Sequence, residues 1–200
     1  MRKILSLLLI TVMALGLIGC GTVNETSATI GTEHIKAEIV FRDYGTVKVE
    51  LYPEKAPITV ANFVNLVESG FYDGTLIHRI QTNFVIQGGD PKRVGKEPVP
   101  TIKGEFANNG VANDLQHTRG ALSMARNGVD YDSASSQFFI CIGDCRKSLD
   151  GDYACFGYVT EGMNVIDKIV ALGPQGDSRM GVLPEGSKMP VIETIRIINN

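Results

Sequence analysis

The segment from Leu76 to Asp90 holds the side chains best suited to chemistry in this sequence. It reads LIHRIQTNFVIQGGD and carries a cation, an aromatic ring and an amide at Arg79, Phe84 and Gln87. In one continuous strand these three side chains could not share a face, but a turn at 81–83 resets the register between two adjoining strands. Such groups position and polarise a substrate, and none of them is a nucleophile. An ordinary hairpin with an exposed arginine is the alternative, and this segment alone leaves both interpretations open.

Other catalytic patterns are absent from the sequence. It contains no G-x-S-x-G, H-E-x-x-H, P-loop or G-x-G-x-x-G motif. His34, His78 and His117 lie far apart without ligand spacing, which favours structural or exposed roles over metal binding. The cysteines lack a legible activating partner for covalent catalysis. We therefore expect any enzymatic activity to proceed without a metal or a nucleophile.

The elements that must position these residues are mostly strands. Alternating apolar residues predict a hairpin from 35–41 and 46–51, and apolar residues at three- and four-residue steps predict a helix that begins near Pro57 and ends at Gly70. The further predictions are strands at 75–80, 84–87, 121–124, 137–142, 154–159 and 191–198, and a helix at 163–172. Many strands with two distant helices favour an antiparallel barrel or sandwich whose open ends the helices cover. The long irregular stretch 90–112 is expected to serve as a binding surface.

Composition places the chain among folded proteins. It has 200 residues, of which 44% are hydrophobic and 20% charged, which excludes a disordered polymer or a coiled coil. The net charge of −3 provides no basic excess to neutralise phosphates. Nucleic acid is therefore not expected as a partner.

The N-terminus predicts export. Arg2 and Lys3 precede an apolar run over 4–18, which is too short for a stable span of about 20 residues and suits a signal peptide over residues 1–19. The tetrapeptide Leu-Ile-Gly-Cys ending at Cys20 resembles a bacterial lipobox, which implies lipidation of Cys20 and anchoring at the outer face of the cell membrane. Residues 20–32 would be the lipidated cysteine and a flexible tether, and 33–200 the folded domain. The alternatives are an ordinary secretory signal and an uncleaved short anchor. Cleavage would leave 17 basic against 22 acidic residues, a net charge of −5.

Three further cysteines remain in an export compartment that permits disulfides. At most one intramolecular pair can form among Cys141, Cys145 and Cys155. Cys141 follows an apolar run and is predicted to be a core residue. A bridge between Cys145 and Cys155, folded together by the turn around Asp150, is the more plausible pair.

The segment around Arg79 resembles the F-H-R-x-x-x-x-F-x-x-Q-G-G-D signature of cyclophilins. The runs from His117 to Ala125 and from Ser136 to Ile140 are similar to the next two signatures of that family, in order. The resemblance extends over about 35–198. It implies a mainly β fold, a closed eight-stranded antiparallel barrel capped by two helices. It also implies a monomeric peptidyl-prolyl cis/trans isomerase that assists folding of exported proteins and binds their proline-containing segments, without cofactor or metal.

The resemblance assigns roles residue by residue. Arg79, with Phe84 and Gln87, matches the catalytic positions. The residues implied in substrate binding are Val85, Ala125, Arg126, Gln137, Phe139, Leu149 and Tyr153, where Ala125 and Arg126 act through their backbone. Core packing is the alternative for Phe139 and Leu149. A non-catalytic proline-peptide binding module or holdase is the alternative function, but Arg79 is unnecessary for merely holding an apolar ring.

Several positions depart from the family pattern. Val85, Arg126 and Tyr153 stand where many members carry Met, Asn and His, which changes the shape and polarity of the pocket. Ser148 stands where cyclosporin-sensitive members carry Trp, so we expect weak cyclosporin binding. The stretch 95–100 replaces a glycine-rich loop and is expected to narrow or stiffen the rim of the site.

Overall fold

The computed structural model describes residues 33–173, 180–184 and 186–198. The elements in chain order are β1 (Ile35–Phe41), β2 (Gly45–Leu51), α1 (Pro57–Glu68), β3 (Ile77–Gln81), β4 (Val85–Gly88), 3₁₀ turns at Pro91–Val94 and Ala107–Asn109, β5 (Ala121–Met124), β6 (Phe138–Cys141), α2 (Arg146–Leu149), β7 (Cys155–Glu161), α3 (Met163–Val170) and β8 (Ile192–Ile198). The predicted strands and both predicted helices are present, with ends that differ by a few residues. The predicted signal peptide, Cys20 and tether lie outside the described residues.

The hairpin β1–β2 follows directly from the alternation of its residues. Ile39 of β1 is opposite Val47 of β2, and both side chains are fully buried in the core, while the intervening charged residues are not. Successive side chains of a strand point to opposite faces, so one face of this hairpin covers the core. Asp43 in the connecting turn has a φ of 68°, a left-handed conformation that a short polar side chain tolerates.

Helix α1 depends on a residue far away in sequence. Its N-cap, Ala56, has no side-chain oxygen to accept from the first N–H groups. The carboxylate of Glu105 takes this role, accepting from Ile58 N at 3.0 Å and from Thr59 N at 2.7 Å. Glu105 is buried and belongs to the irregular stretch 90–112. At least this part of the stretch 90–112 therefore packs against the folded core and caps the N-terminus of α1.

The eight strands form one antiparallel sheet in the order β3-β4-β6-β5-β7-β2-β1-β8. The prediction of a closed barrel is wrong, because β3 and β8 share no ladder and the sheet is an open half-barrel. The outer edge of β3 is occupied instead by residues 181–183, where Ile80 N donates to Gly181 O and Leu183 N to His78 O. The two ends of the sheet meet where β3 and β8 begin, through a bridge between Leu76 and Val191 and backbone hydrogen bonds such as that from Ile77 N to Pro190 O.

Two further expectations are corrected. A third helix, α2, lies between β6 and β7, and its four residues are too few to show a helical period in the sequence.

The proposed bridge between Cys145 and Cys155 is wrong, because both are free thiols, as is Cys141. The Cys145 thiol donates to Phe84 O at 3.2 Å, while Cys155 enters the ladder opposite Ser123. All three cysteines are buried. The sequence predicted a core position only for Cys141. Among the described residues no helix is long and apolar enough to cross a bilayer.

Candidate functional site

The sheet aligns three of the predicted site residues in one row across neighbouring strands. Arg79 of β3 is opposite Gln87 of β4, which in turn is opposite Phe139 of β6. Paired residues of neighbouring strands project to the same face. The sharp turn between β3 and β4, with Asn83 at a φ of 62°, resets the register as the sequence suggested. The cation, the amide and an aromatic ring therefore come together because the strands pair in this register.

This row lines an open cavity of about 260 Å³. Its walls contain nine of the ten predicted catalytic and substrate-binding residues: Arg79, Phe84, Val85, Gln87, Ala125, Arg126, Phe139, Leu149 and Tyr153. Met180 also lines the cavity, and no motif in the sequence marked it. The tenth predicted residue, Gln137, lies in a neighbouring cavity and accepts a hydrogen bond from Gln87 Nε2 at 2.9 Å.

Arg79 is held by neutral oxygen atoms. Its Nε donates to Met180 O at 2.8 Å, one Nη1 hydrogen goes to Gln87 Oε1 at 3.1 Å, and Nη2 donates to Gln81 Oε1. Burial lowers the pKa of the guanidinium. Because the usual pKa of arginine lies far above neutrality, the group nevertheless stays charged. Three of its five N–H groups are engaged in these contacts, and no carboxylate of the described residues lines the cavity. Within the part of the chain that the structure describes, the remaining two N–H groups have no acceptor and can bind a substrate.

An apolar wall stands beside the arginine. The guanidinium Cζ is 5.7 Å from the centroid of the Phe84 ring. Val85, Phe139 and Leu149 are almost fully buried and pack in one cluster with the three thiols. Phe139 meets Tyr153 edge to face, with centroids 5.8 Å apart. Phe139 and Leu149 therefore satisfy both interpretations, since they pack in a core cluster and also line the cavity.

A buried hydrogen-bonded chain supports this wall. His117 Nδ1 lies 2.8 Å from Asp150 Oδ1, and Nε2 lies 2.9 Å from Ser123 Oγ. The imidazole stacks on Phe139 with centroids 6.0 Å apart. Burial lowers the pKa of His117 despite the adjacent carboxylate, which favours a neutral ring that accepts from Ser123 and donates to Asp150. Ser123 is fully buried, so this Ser-His-Asp chain has no access to a substrate and is structural, as predicted for His117.

A second cavity of about 310 Å³ adjoins the first and shares Gln87, Ala125 and Arg126 with it. Its other lining residues are polar: Asn127, Ser133, Ser135 and Gln137. Asn127, Ser133 and Ser135 were not predicted from the sequence, because small polar residues before a strand resemble any loop. No residue of the stretch 95–100 lines either cavity, so the predicted narrowing is not seen at these walls. Lys96 does tie that stretch down, donating to Phe71 O and Asp73 O at 2.5 and 2.7 Å.

The described residues offer no group of three His, Cys, Asp or Glu side chains that could hold a metal ion. The walls themselves place hydrogen-bond donors of Arg79 and Gln87 beside an apolar surface. Such a surface binds a ring, while the free N–H groups of Arg79 bind polar atoms next to it.

Comparison with known proteins gives consistent matches. The family model described as cyclophilin type peptidyl-prolyl cis-trans isomerase/CLD matches residues 36–197. A peptidyl-prolyl cis-trans isomerase of Acinetobacter baylyi is 47% identical over 131 residues, which cover 62% of this chain and 66% of the relative. Peptidyl-prolyl cis-trans isomerase A of Dickeya dadantii is 41% identical over 162 residues, covering 77% and 80%. A cyclophilin type isomerase of Cryptosporidium parvum, solved in the presence of the dipeptide Ala-Pro, superposes with a TM-score of 0.69 at 29% identity, covering 82% of this chain and 99% of that one.

Proposed function

The chain belongs to the cyclophilin-type peptidyl-prolyl cis-trans isomerases, and from this premise we propose that it rotates X-Pro bonds of exported proteins, with Arg79 as the catalytic residue. The isomerase activity is that of its family. The proposal adds the residues that perform it, the clients and the place. Proline-containing segments of unfolded exported proteins are the substrates, and neither a cofactor nor a metal takes part.

The reaction requires stabilisation of a twisted amide. Rotation about an X-Pro bond has a barrier of about 18–20 kcal/mol because it removes amide resonance. In the twisted state the prolyl nitrogen regains its lone pair and becomes a hydrogen-bond acceptor. A donor directed at that nitrogen binds the transition state better than the planar ground state, and this lowers the barrier without any covalent step.

The single observation that carries the proposal is the position of Arg79. Its guanidinium lies in the cavity that Phe84, Phe139 and Leu149 line. Among the described residues, two of its N–H groups have no acceptor and no carboxylate neutralises it. The apolar walls suit the proline ring, and the remaining donors lie at its edge. Met180 O, Gln81 and Gln87 hold the planar group in place, so little reorganisation is needed when the substrate twists.

The test is exchange spectroscopy of a short Ala-Pro peptide by NMR, using the full chain in non-ionic detergent. Arg79→Ala is expected to reduce the acceleration by about 10²–10³-fold, the usual cost of removing a donor aimed at the transition state. Arg79→Lys keeps a charge but not the planar fork, and is expected to recover only part of the loss. Arg42→Gln, at an exposed arginine in the β1–β2 turn, is the matched control.

The alternative function, a proline-peptide binding module or holdase, makes a different prediction for the same experiment. If the wild-type chain binds the peptide without accelerating exchange, the holdase is supported and the catalytic proposal is overturned. Equal acceleration by the wild type and Arg79→Ala would remove Arg79 from the mechanism.

Export and anchoring are the second part of the proposal. The basic pair at residues 2 and 3, the apolar run 4–18 and the lipobox-like sequence ending at Cys20 support a lipoprotein held at the outer face of the bacterial cell membrane. The mature protein would be a monomer that contacts the membrane through its lipid. Wild-type chain expressed in bacteria is expected to incorporate labelled palmitate and sediment with membranes, and Cys20→Ser to do neither. Soluble, unlabelled wild-type protein would contradict the anchor.

A further inference from the structure

The second cavity has a composition that the isomerisation of an X-Pro bond does not require. It is lined by one cation and by hydroxyl and amide groups, and it opens into the apolar cavity through Gln87, Ala125 and Arg126. Among the described residues no Asp or Glu lines either cavity, whereas two arginines do. An extended peptide with its proline in the apolar cavity would bring a neighbouring side chain to these polar walls.

Arg126 is the fixed point between the two cavities. Its Cζ lies 4.7 Å from the ring centroid of Tyr153 and 4.8 Å from that of Tyr131, with Phe106 at 5.5 Å. Stacking on aromatic faces is a property of the planar guanidinium that an ammonium group does not reproduce. These rings restrict the side chain, so little conformational entropy remains to be lost when a ligand binds.

The hydrogen bonds of Arg126 leave part of its donor set unused. Nε donates to Asp152 O at 2.8 Å and Nη1 to Asn127 O at 2.7 Å. Both acceptors are neutral carbonyl oxygens, and none of the described residues accepts from Nη2. The guanidinium therefore keeps its charge uncompensated by a direct ion pair within the described part of the chain.

The nearby carboxylates are directed to other groups. Asp132 Oδ1 accepts from Gly104 N at 2.9 Å and from Asn109 Nδ2 at 2.7 Å. Asp130 Oδ1 accepts from Asp132 N, and Asp152 Oδ1 from Asn108 Nδ2. These carboxylates reduce the positive potential but do not line the cavity.

We propose that the second cavity selects substrates with an acidic side chain close to the proline, and that Arg126 recognises this carboxylate. The inference rests on the proposed function, since it concerns which peptides the isomerase accepts. A carboxylate at the polar wall would accept from Nη2 of Arg126 and from the Ser135 hydroxyl, whereas the Ser133 hydroxyl already donates to Asp130 O at 2.6 Å. Charge-assisted hydrogen bonds of this kind are stronger than neutral ones, but partial exposure weakens them. The expected preference for Glu over Gln is about three- to tenfold.

The test uses blocked peptides with one Ala-Pro bond, in which Glu, Gln or Lys replaces a single residue at each of three positions on either side. Acceleration of exchange and the peptide Kd are both measured by NMR with the full chain in detergent. At one position the wild type is expected to favour Glu over Gln by about three- to tenfold and to disfavour Lys. Added salt should reduce this ratio, because the site is open to solvent.

Two variants test whether Arg126 causes the preference for Glu over Gln. Arg126→Gln is expected to bring the Glu-to-Gln ratio to about one, while Arg42→Gln, which makes the same charge change at a remote exposed site, keeps the wild-type ratio. Equal rates for Glu and Gln at every position, with Ala-Pro exchange still accelerated, would overturn the acidic preference and leave the proposed function standing. If the chain accelerates the exchange of no peptide, the proposed function fails. The ratio of the Kd values for the Glu and Gln peptides then shows by itself whether the cavity prefers a carboxylate. A preference that survives Arg126→Gln would remove that residue as its cause.

Discussion

His78, the neighbour of Arg79 in β3, should make the stability of this protein sensitive to mild acid. Its side chain is 6% exposed, and its Nδ1 has no hydrogen-bond partner among the described residues. Burial lowers the pKa of the imidazole to about 4, and Arg93 acts in the same direction, while Asp90 opposes the shift. A charged ring at this position would lose more through its lost hydration than Asp90 restores, so the folded state keeps His78 neutral.

The size of the effect follows from the two pKa values. An unfolded chain binds a proton at His78 with a pKa of about 6.5, so above that pH both states are neutral and His78 contributes no pH dependence. Between pH 6.5 and 4 the unfolded chain holds the proton and the folded chain does not, so the free energy of unfolding decreases as the pH falls. At about 1.36 kcal/mol per unit, a difference of about 2.5 units corresponds to about 3 kcal/mol.

The assay is urea unfolding of the full chain in detergent at pH 7, 6, 5 and 4, with the wild type compared with His78→Leu. Leucine is apolar and cannot titrate, so the wild type should lose about 3 kcal/mol more than the variant between pH 7 and 4. The control is His34→Leu, which replaces an exposed histidine and leaves the buried imidazole of His78 in place. Equal losses in the wild type and His78→Leu would refute the buried neutral imidazole.

Three other outcomes are expected. Glu105→Gln should lower the free energy of unfolding by about 2 kcal/mol in urea titrations, because the amide cannot accept from both N–H groups at the start of α1; an unchanged value would contradict the cap. Cyclosporin should bind weakly, because Ser148 offers no large ring, and a submicromolar Kd by calorimetry would be inconsistent with this. Cys141, Cys145 and Cys155 should react with a thiol reagent much more slowly in the folded than in the urea-unfolded chain, because burial raises their pKa values, that of Cys155 to about 12. Rapid labelling of all three in the folded chain would contradict their burial.

Local patterns in the sequence were sufficient for much of the fold. Alternation in 35–41 and 46–51 predicted the first hairpin, because a strand with one buried face must alternate. The three- and four-residue spacing of Val60, Phe63 and Val67 predicted α1 for the corresponding helical reason. Helix α2 was missed because its four residues are shorter than the pattern that would reveal them.

The residues of the site that belong to sequence motifs could be predicted, and those outside the motifs could not. Arg79, Phe84 and Gln87 lie within nine residues, and the family resemblance is enough to group Phe139, Leu149 and Tyr153 with them. Met180 was missed because it enters the cavity from an unrelated part of the chain, after β3 and residues 181–183 pair. Ser133 and Ser135 are candidates only because the folded chain places them on the wall of a cavity.

The sequence by itself determined the family, the strands and helices that have a clear period, and the residue types of the apolar cavity. These features are local, because each depends on neighbours within a few positions along the chain. The tertiary structure alone decided the cap that Glu105 provides to α1, the free state of the three thiols, the lack of a ladder between β3 and β8, and the stacking of Arg126 on Tyr131 and Tyr153. Each of these depends on atoms that are distant in sequence and meet only when the sheet folds, and no local pattern encodes such distances.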